Sequence, residues 1–343
     1  MSNMADVRSE PIDVLRAKDG VIIDVRSSSE YARGHWPGAV NLPLFSDQER
    51  ADVGTTYKKC GRRDAIHLGL SLTGQKLTTL ADQLEALRNQ GPPRIYCWRG
   101  GMRSASMAWL ADLLDLNPSL LSGGYKSYRH WVREQFSKAW PLRLMGGRTG
   151  TGKTDLLLGL RGRGVAVVDL EGLANHRGSS FGGLGLPPQP TTEHYENLLA
   201  EELDHWRLNG AEAIWLEAES IQVGCCRIPA ELFHQMQQAP VLEIQRGPRE
   251  RVKQLVGVYG QQGQQALADA TARISRRLGP QRTAQALKAI AEEDWTTACE
   301  AMLDYYDRCY DRELKLSPER TFLDISGLDA DQAAERMLEL NLA

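Results

Sequence analysis

Nowhere do the 343 residues hold an uninterrupted apolar run near the ~18 residues that a membrane-spanning helix needs. Residues 1–10 also lack the basic-then-apolar layout of a secretory leader, so the expectation is a cytoplasmic protein without a membrane partner. The six cysteines, Cys60, Cys97, Cys225, Cys226, Cys299 and Cys309, share no repeated spacing. That argues against a disulfide framework and against a four-ligand zinc site, and no such metal centre is expected. Charge of one sign is missing too: 41 Lys and Arg stand against 44 Asp and Glu, a net charge of -3. Contact with a nucleic acid must then come from a local patch. One is legible, because residues 246–288 carry nine Lys and Arg against only Glu250 and Asp269. There is no internal repeat; the biased stretches, 178–190 (Gly, Ser, Pro) and 261–265 (Gln), read as loops.

What is present is globular composition, 42% hydrophobic and 25% charged, in a chain long enough for two cores. Short apolar runs bounded by turn residues predict strands at 21–25, 94–97, 142–145, 165–169, 213–216, 241–244 and 322–325. Helical periodicity lies between them, at 77–87, 104–116, 154–160 and 195–208. Strand and helix alternation predicts an α/β fold with a largely parallel sheet, twice over. An aromatic-rich helical stretch, 125–140, runs into Pro141 and a new strand, which divides the chain into domains 1–138 and 139–343.

In the first domain Cys97 ends the predicted strand, and Gly100 and Gly101 lead through Arg103 into a helix near Ser104. Backbone N–H groups of such a loop and a helix N-terminus converge into an anion cradle that also lowers a thiol pKa. Cys97 is then a thiolate nucleophile, with Arg99 and Arg103 as planar donors to an oxyanion. Alone, the cysteine fits equally a small buried apolar residue. It is accompanied by Asp24-Val25-Arg26, Glu30-Tyr31, Gly34-His35, Gly38-Ala39 and Asn41-Leu42-Pro43. With these, residues 7–137 resemble the rhodanese family. The resemblance implies that Cys97 carries sulfur or selenium as a persulfide or perselenide, and that Asp24, Arg26, Glu30 and His35 tie loops around it. Five residues separate Cys97 from Arg103, one more than in the common sulfur-transferring loop, so the cradle suits a tetrahedral anion. A phosphate ester and a phosphorylated chalcogen donor such as selenophosphate both qualify.

In the second domain Gly147-Arg148-Thr149-Gly150-Thr151-Gly152-Lys153-Thr154 fits the pattern G-x4-G-K-[ST] between a strand and a helix. The amides freed by Gly147, Gly150 and Gly152 wrap a phosphate, Lys153 neutralises it, and Thr154 is placed to hold magnesium. Glu217 is the favoured acidic partner and Asp169 the alternative, although each also reads as a strand-end turn cap. No base-reading motif is visible, so a nucleotide is not demanded. The loop 175–185, with His176, Arg177 and Phe181, reads either as part of a substrate pocket or as a connection. Arg273, Arg276 and Arg277 share one helical face, either a contact for a nucleic-acid backbone or a solvated surface.

The order of these domains combines with three further motifs: 97–104 (CWRGGMRS), 123–126 (GGYK) and 169–182 (DLEGLANHRGSSFG). Over essentially its whole length the chain resembles the bacterial tRNA 2-selenouridine synthase family. The resemblance implies that selenium replaces sulfur in wobble 2-thiouridine of tRNA, from selenophosphate, through an S-geranyl intermediate made from geranyl diphosphate. The Cys97 cradle would serve selenation, the P-loop would hold the prenyl diphosphate, and Arg273, Arg276 and Arg277 would meet the tRNA. An enzyme producing selenophosphate is an expected partner. The rivals are a cysteine phosphatase fused to a P-loop kinase or NTPase, from the Cys-x5-Arg spacing, and a non-enzymatic adaptor. Between Asp24 and Cys97, however, no aspartic acid is placed as a general acid for a leaving alcohol.

Overall fold

Ile22, Ile23 and Asp24 form a strand buried on both faces, and Ile214–Glu217 does the same, the pattern of parallel sheets covered by helices. The computed structural model describes residues 7–314 and 319–342, which divide into the units Met1–Glu134 and Gln135–Ala343. Among the described residues no helix is long and apolar enough to cross a membrane.

The first unit contains β1 (Arg8–Glu10), β2 (Ile22–Asp24), β3 (Val40–Asn41), β4 (Arg94–Tyr96) and β5 (Ser119–Leu121), in the order β1-β5-β4-β2-β3 with every pair parallel. From β2 the chain steps to β3 on one side and then crosses back to β4 on the other. The carboxyl ends of β2 and β4, where Asp24 lies opposite Tyr96, are therefore the switch point at which such sheets bind ligands. Ile23, Val25, Ile95, Met107, Ala108 and Leu84 fill the core. Between β3 and β4 stand the helices Asp47–Cys60, Arg62–Gly74 and Leu77–Ala86, the first two joined by Gly61 at φ 96°. Ser46 opens the first with a capping box to Glu49.

The second unit contains β6 (Leu142–Gly146), β7 (Ile214–Glu217), the short antiparallel pair β8 (Gln222–Val223) and β9 (Cys226–Arg227), β10 (Val241–Gln245) and β11 (Arg320–Asp324). Its main sheet is parallel in the order β11-β10-β6-β7, so the end of β6 is again a switch point. The expected strand at 165–169 is reduced to one bridge, Val167 to Trp215. Val168 N–H donates to Trp215 O and Trp215 N–H to Ala166 O, and Asp169 then starts a helix. Helices Pro248–Tyr259, Gln264–Leu278, Pro280–Ala291 and Trp295–Leu314 form a further layer. Leu267, Ala270, Ile274, Ile290, Ala298 and Met302 are buried at its centre. Of the Gln-rich segment only 261–263 is a loop; Gln264 and Gln265 already belong to a helix whose apolar stripe begins at Leu267.

Candidate functional site

The Cys97 loop is shaped by what lies beneath it. The carbonyls of Cys97 and Trp98 accept bonds from Tyr125 and Lys126 N–H, at 2.8 and 3.0 Å, so they point away from the anion side. Gly124 (φ 61°) allows that approach: a Cβ there would lie 2.2 Å from Cys97 O and 2.4 Å from Gly100 N. Gly100 (φ 64°) is equally confined, 2.8 Å from Leu121 O by the same measure. Gly101 then opens the helix Met102–Leu113, and its N–H donates to Cys97 Sγ at 3.3 Å. Ser104 Oγ lies 3.2 Å from the same sulfur.

Cys97 is nearly inaccessible, and burial alone would push its thiol up. Bonds from the Ser104 side chain and from the Ser104, Arg99 and Gly101 amides outweigh burial and hold the thiol below its ordinary value. This is the environment of a nucleophilic thiolate. Arg99 stands exposed at the loop surface. Arg103 is anchored instead, donating from Nη1 to Glu30 Oε2 at 2.7 Å. Glu30 is raised by burial but lowered more by Arg103, and the net result is a carboxylate held below its usual range.

Asp24 and Arg26 form a fully buried pair at 2.6 Å, and Arg26 also donates to Gly34 O at 2.7 Å. Its guanidinium lies 3.8 Å from the Tyr125 ring, which begins a stack running through Tyr128 to Trp131. Asn41 bridges the Asp24 and Arg26 carbonyls. These residues brace the loop and do not reach the sulfur, the scaffold role expected for them.

In the second unit the loop after β6 carries Gly147, Gly150 and Gly152 at positive φ, and Lys153 opens the helix Lys153–Arg161. Lys153 Nζ donates to Gly147 O at 2.7 Å, folded back over the loop, and Gly147 N–H donates to Tyr310 Oη. Arg251, almost fully buried, donates to Thr149 O at 2.9 Å and pairs with Asp307. Arg246 lies beside Gly152 and donates to Leu328 O. Arg251 of the basic segment thus holds the P-loop in place, and Arg246 lies against it.

The carboxylate that meets the loop is Glu171, a residue the sequence did not single out: Thr154 Oγ1 donates to Glu171 Oε2 at 2.9 Å. Burial raises the Glu171 carboxyl; Lys153, Thr154 and Glu219 oppose this, Asp169 adds to it, and the net shift is upward. Glu217 sits deeper, fully buried, with Oε2 accepting from Leu170 N–H at 2.9 Å. Burial, then Asp169 and Glu171, push its carboxyl well above the usual range. Asp169 caps the helix Leu170–Leu173 through Gly172 N–H at 2.7 Å. Glu171 lies two residues past Asp169, inside the helix that Asp169 caps, so it stands at no strand end.

Beside Thr149 opens an apolar pocket lined by Phe181, Leu255, Tyr259, Trp295 and Met302. The segment 175–185 is folded on itself, Arg177 Nη1 donating to Leu184 O at 3.0 Å, and it delivers the buried Phe181 to that pocket. Arg273, Arg276 and Arg277 are all exposed on one face of Gln264–Leu278, with Arg273 Nη2 donating to Ser180 O at 2.8 Å.

Two anion cradles, each at the switch point of its own parallel sheet, define a rhodanese-like unit followed by a P-loop unit. Comparison with known families agrees: residues 10–130 match the rhodanese-like domain, and residues 140–336 match the tRNA 2-selenouridine synthase AAA domain. A protein of Pseudomonas putida (strain GB-1) named tRNA 2-selenouridine synthase is 36% identical over 337 residues, covering 88% of this chain and 90% of that one. One of the same name from Azotobacter vinelandii (strain DJ / ATCC BAA-1303) is 34% identical over 340 residues, covering 88% and 90%. The chain belongs to the tRNA 2-selenouridine synthase family.

Proposed function

We propose that the protein is a cytoplasmic tRNA-modifying enzyme that replaces sulfur by selenium in wobble 2-thiouridine, using geranyl diphosphate and then selenophosphate. A thiocarbonyl sulfur is a poor leaving group. Alkylation makes it a better one and leaves the adjacent ring carbon more electrophilic, so a selenium nucleophile can displace it as the geranyl thiol. The P-loop holds the diphosphate of the prenyl donor, with Lys153 neutralising the departing charge. Selenophosphate seats against Arg99 and the Gly100 and Gly101 amides, which makes a selenophosphate-producing enzyme a natural partner. The Cys97 thiolate attacks its phosphorus, the P–Se bond breaks and hydroselenide leaves to attack the ring carbon. Water then hydrolyses the Cys97 thiophosphate ester to phosphate.

The observation that carries this reading is the P-loop bordered at Thr149 by an apolar pocket, a setting matched to a ligand that is diphosphate at one end and hydrocarbon at the other. Among the described residues no three His, Cys, Asp or Glu side chains converge as a metal site. Thr154 and Glu171 nonetheless fit a magnesium ion that draws its other ligands from diphosphate and water, and it would neutralise the leaving group. Membership of the family favours this over the phosphatase and adaptor readings. The test is mass spectrometry of nucleosides from 2-thiouridine tRNA incubated with the protein and both donors. S-geranyl-2-thiouridine should appear first and 2-selenouridine after it; appearance of neither would refute the reading.

A further inference from the structure

The first unit holds a larger opening than its anion cradle. The helices Asp47–Cys60, Arg62–Gly74 and Met102–Leu113 enclose an apolar groove of about 680 Å³, in the ~300–1,000 Å³ range of ordinary ligand sites. Its walls leave large apolar side chains in solvent: Leu70 is 66% exposed, Tyr57 58% and Met102 54%, with Trp109 beside them. Single exposed apolar residues need no explanation, but a contiguous set lining one concavity marks a binding surface. The groove begins directly after the Cys97 loop, at Met102 and Arg103, which line it and follow Gly101, whose amide contacts Cys97 Sγ.

We propose that this groove is the seat of the S-geranyl group of the alkylated wobble base while selenium is delivered at Cys97. The inference rests on the function proposed above. During displacement the ring carbon must come within bonding distance of the hydroselenide released beside Cys97, and the sulfur on that carbon, which leaves as the geranyl thiol, carries a ten-carbon chain. The chain therefore lies next to the loop, and the groove is an apolar surface that begins at the residues following it. It is a separate site from the pocket beside Thr149, which would hold the chain while it is still on its diphosphate. Seating the leaving group there orients the base, and it makes a bulky hydrophobic substituent an advantage.

The experiment compares tRNAs bearing S-geranyl- or S-methyl-2-thiouridine at the same position, each given selenophosphate and either wild-type protein, Leu70→Asp or Trp109→Ala. The readout is 2-selenouridine formed in a single turnover. Both side chains are partly exposed, and thermal unfolding confirms that each variant folds. Wild type should prefer the S-geranyl substrate, and each variant should lose on the order of tenfold on it while keeping the wild-type rate on the S-methyl one. Equal wild-type rates on the two substrates, or equal losses on both in the variants, would overturn the groove while leaving the proposed function intact. Conversion of neither substrate by wild type would overturn the function and the groove with it. A wild-type dimer that becomes monomeric in Leu70→Asp, with the S-geranyl preference unchanged, would give the groove to a second copy of the chain.

Discussion

Replacing Gly124 by alanine should collapse the Cys97 cradle while leaving every side chain of the loop unchanged. The added Cβ would sit 2.2 Å from Cys97 O, 2.4 Å from Gly100 N and 2.8 Å from Arg99 N, where ordinary contacts are 3.4 Å or more. All three neighbours are backbone, so the loop must retreat by more than an ångström. Three losses follow. A left-handed alanine costs about 1–2 kcal/mol. Breaking the bond from Tyr125 N–H to Cys97 O costs about 1–3 kcal/mol more, giving roughly 2–5 kcal/mol in all. A reacting group displaced by about 1 Å also loses on the order of 100-fold in rate. Calorimetry should show the melting temperature lowered by roughly 5–15 °C. The thiolate absorbance of Cys97, taken as the difference from Cys97→Ser, should rise only at higher pH than in wild type. Gly101→Ala is the stability control, since its Cβ meets nothing within 4 Å. Wild-type melting and wild-type selenation in Gly124→Ala would refute the reasoning.

Lys153→Ala should raise the KM for geranyl diphosphate and slow alkylation, because the diphosphate loses its neutralising ammonium; an unchanged geranylation rate at limiting donor would contradict this. Arg273, Arg276 and Arg277 changed together to Gln should weaken tRNA binding and flatten its salt dependence by roughly one unit of log-log slope for each phosphate no longer neutralised. An unaltered slope in binding titrations would make these arginines a solvated face. Glu217→Gln should change the pH dependence of stability. The Glu217 carboxyl is pushed up in the fold, so its stabilisation is complete below the unfolded carboxyl range and is lost as pH rises toward the folded value. Wild type should therefore lose more stability than Glu217→Gln as pH rises above the ordinary carboxyl range, and parallel melting curves would contradict the upward shift.

The fold class was legible because the central strands are short apolar runs, β4 and β6 lying where those runs predicted, whereas β1 (Arg-Ser-Glu), β3 and β5 are too polar or too short to show one. The Cys97 loop and the P-loop were legible for a related reason: Gly100, Gly147, Gly150 and Gly152 sit at positive φ, so residue identity reports geometry. The strand at 165–169 misled because Val165, Ala166, Val167 and Val168 have strand composition, yet Asp169 caps a helix directly after them. Glu171 escaped notice because the helix Leu170–Leu173 turns its carboxylate toward Thr154, and a periodicity of one turn leaves no pattern. The groove was invisible as well. Its walls join the consecutive helices Asp47–Cys60 and Arg62–Gly74 to the later helix Met102–Leu113, and the consecutive pair has apolar positions too sparse to announce a surface. Within the basic segment, composition could not separate Arg246 and Arg251, which lie against the P-loop, from Arg273, Arg276 and Arg277, which face solvent.

The central claim is that two chemical steps are divided between a P-loop and a single cysteine. Its most direct test is a time course of nucleoside mass spectrometry with Cys97→Ser, using 2-thiouridine tRNA, geranyl diphosphate and selenophosphate. S-geranyl-2-thiouridine should form at the wild-type rate and accumulate, with no 2-selenouridine appearing. Formation of 2-selenouridine by Cys97→Ser at the wild-type rate would contradict the account.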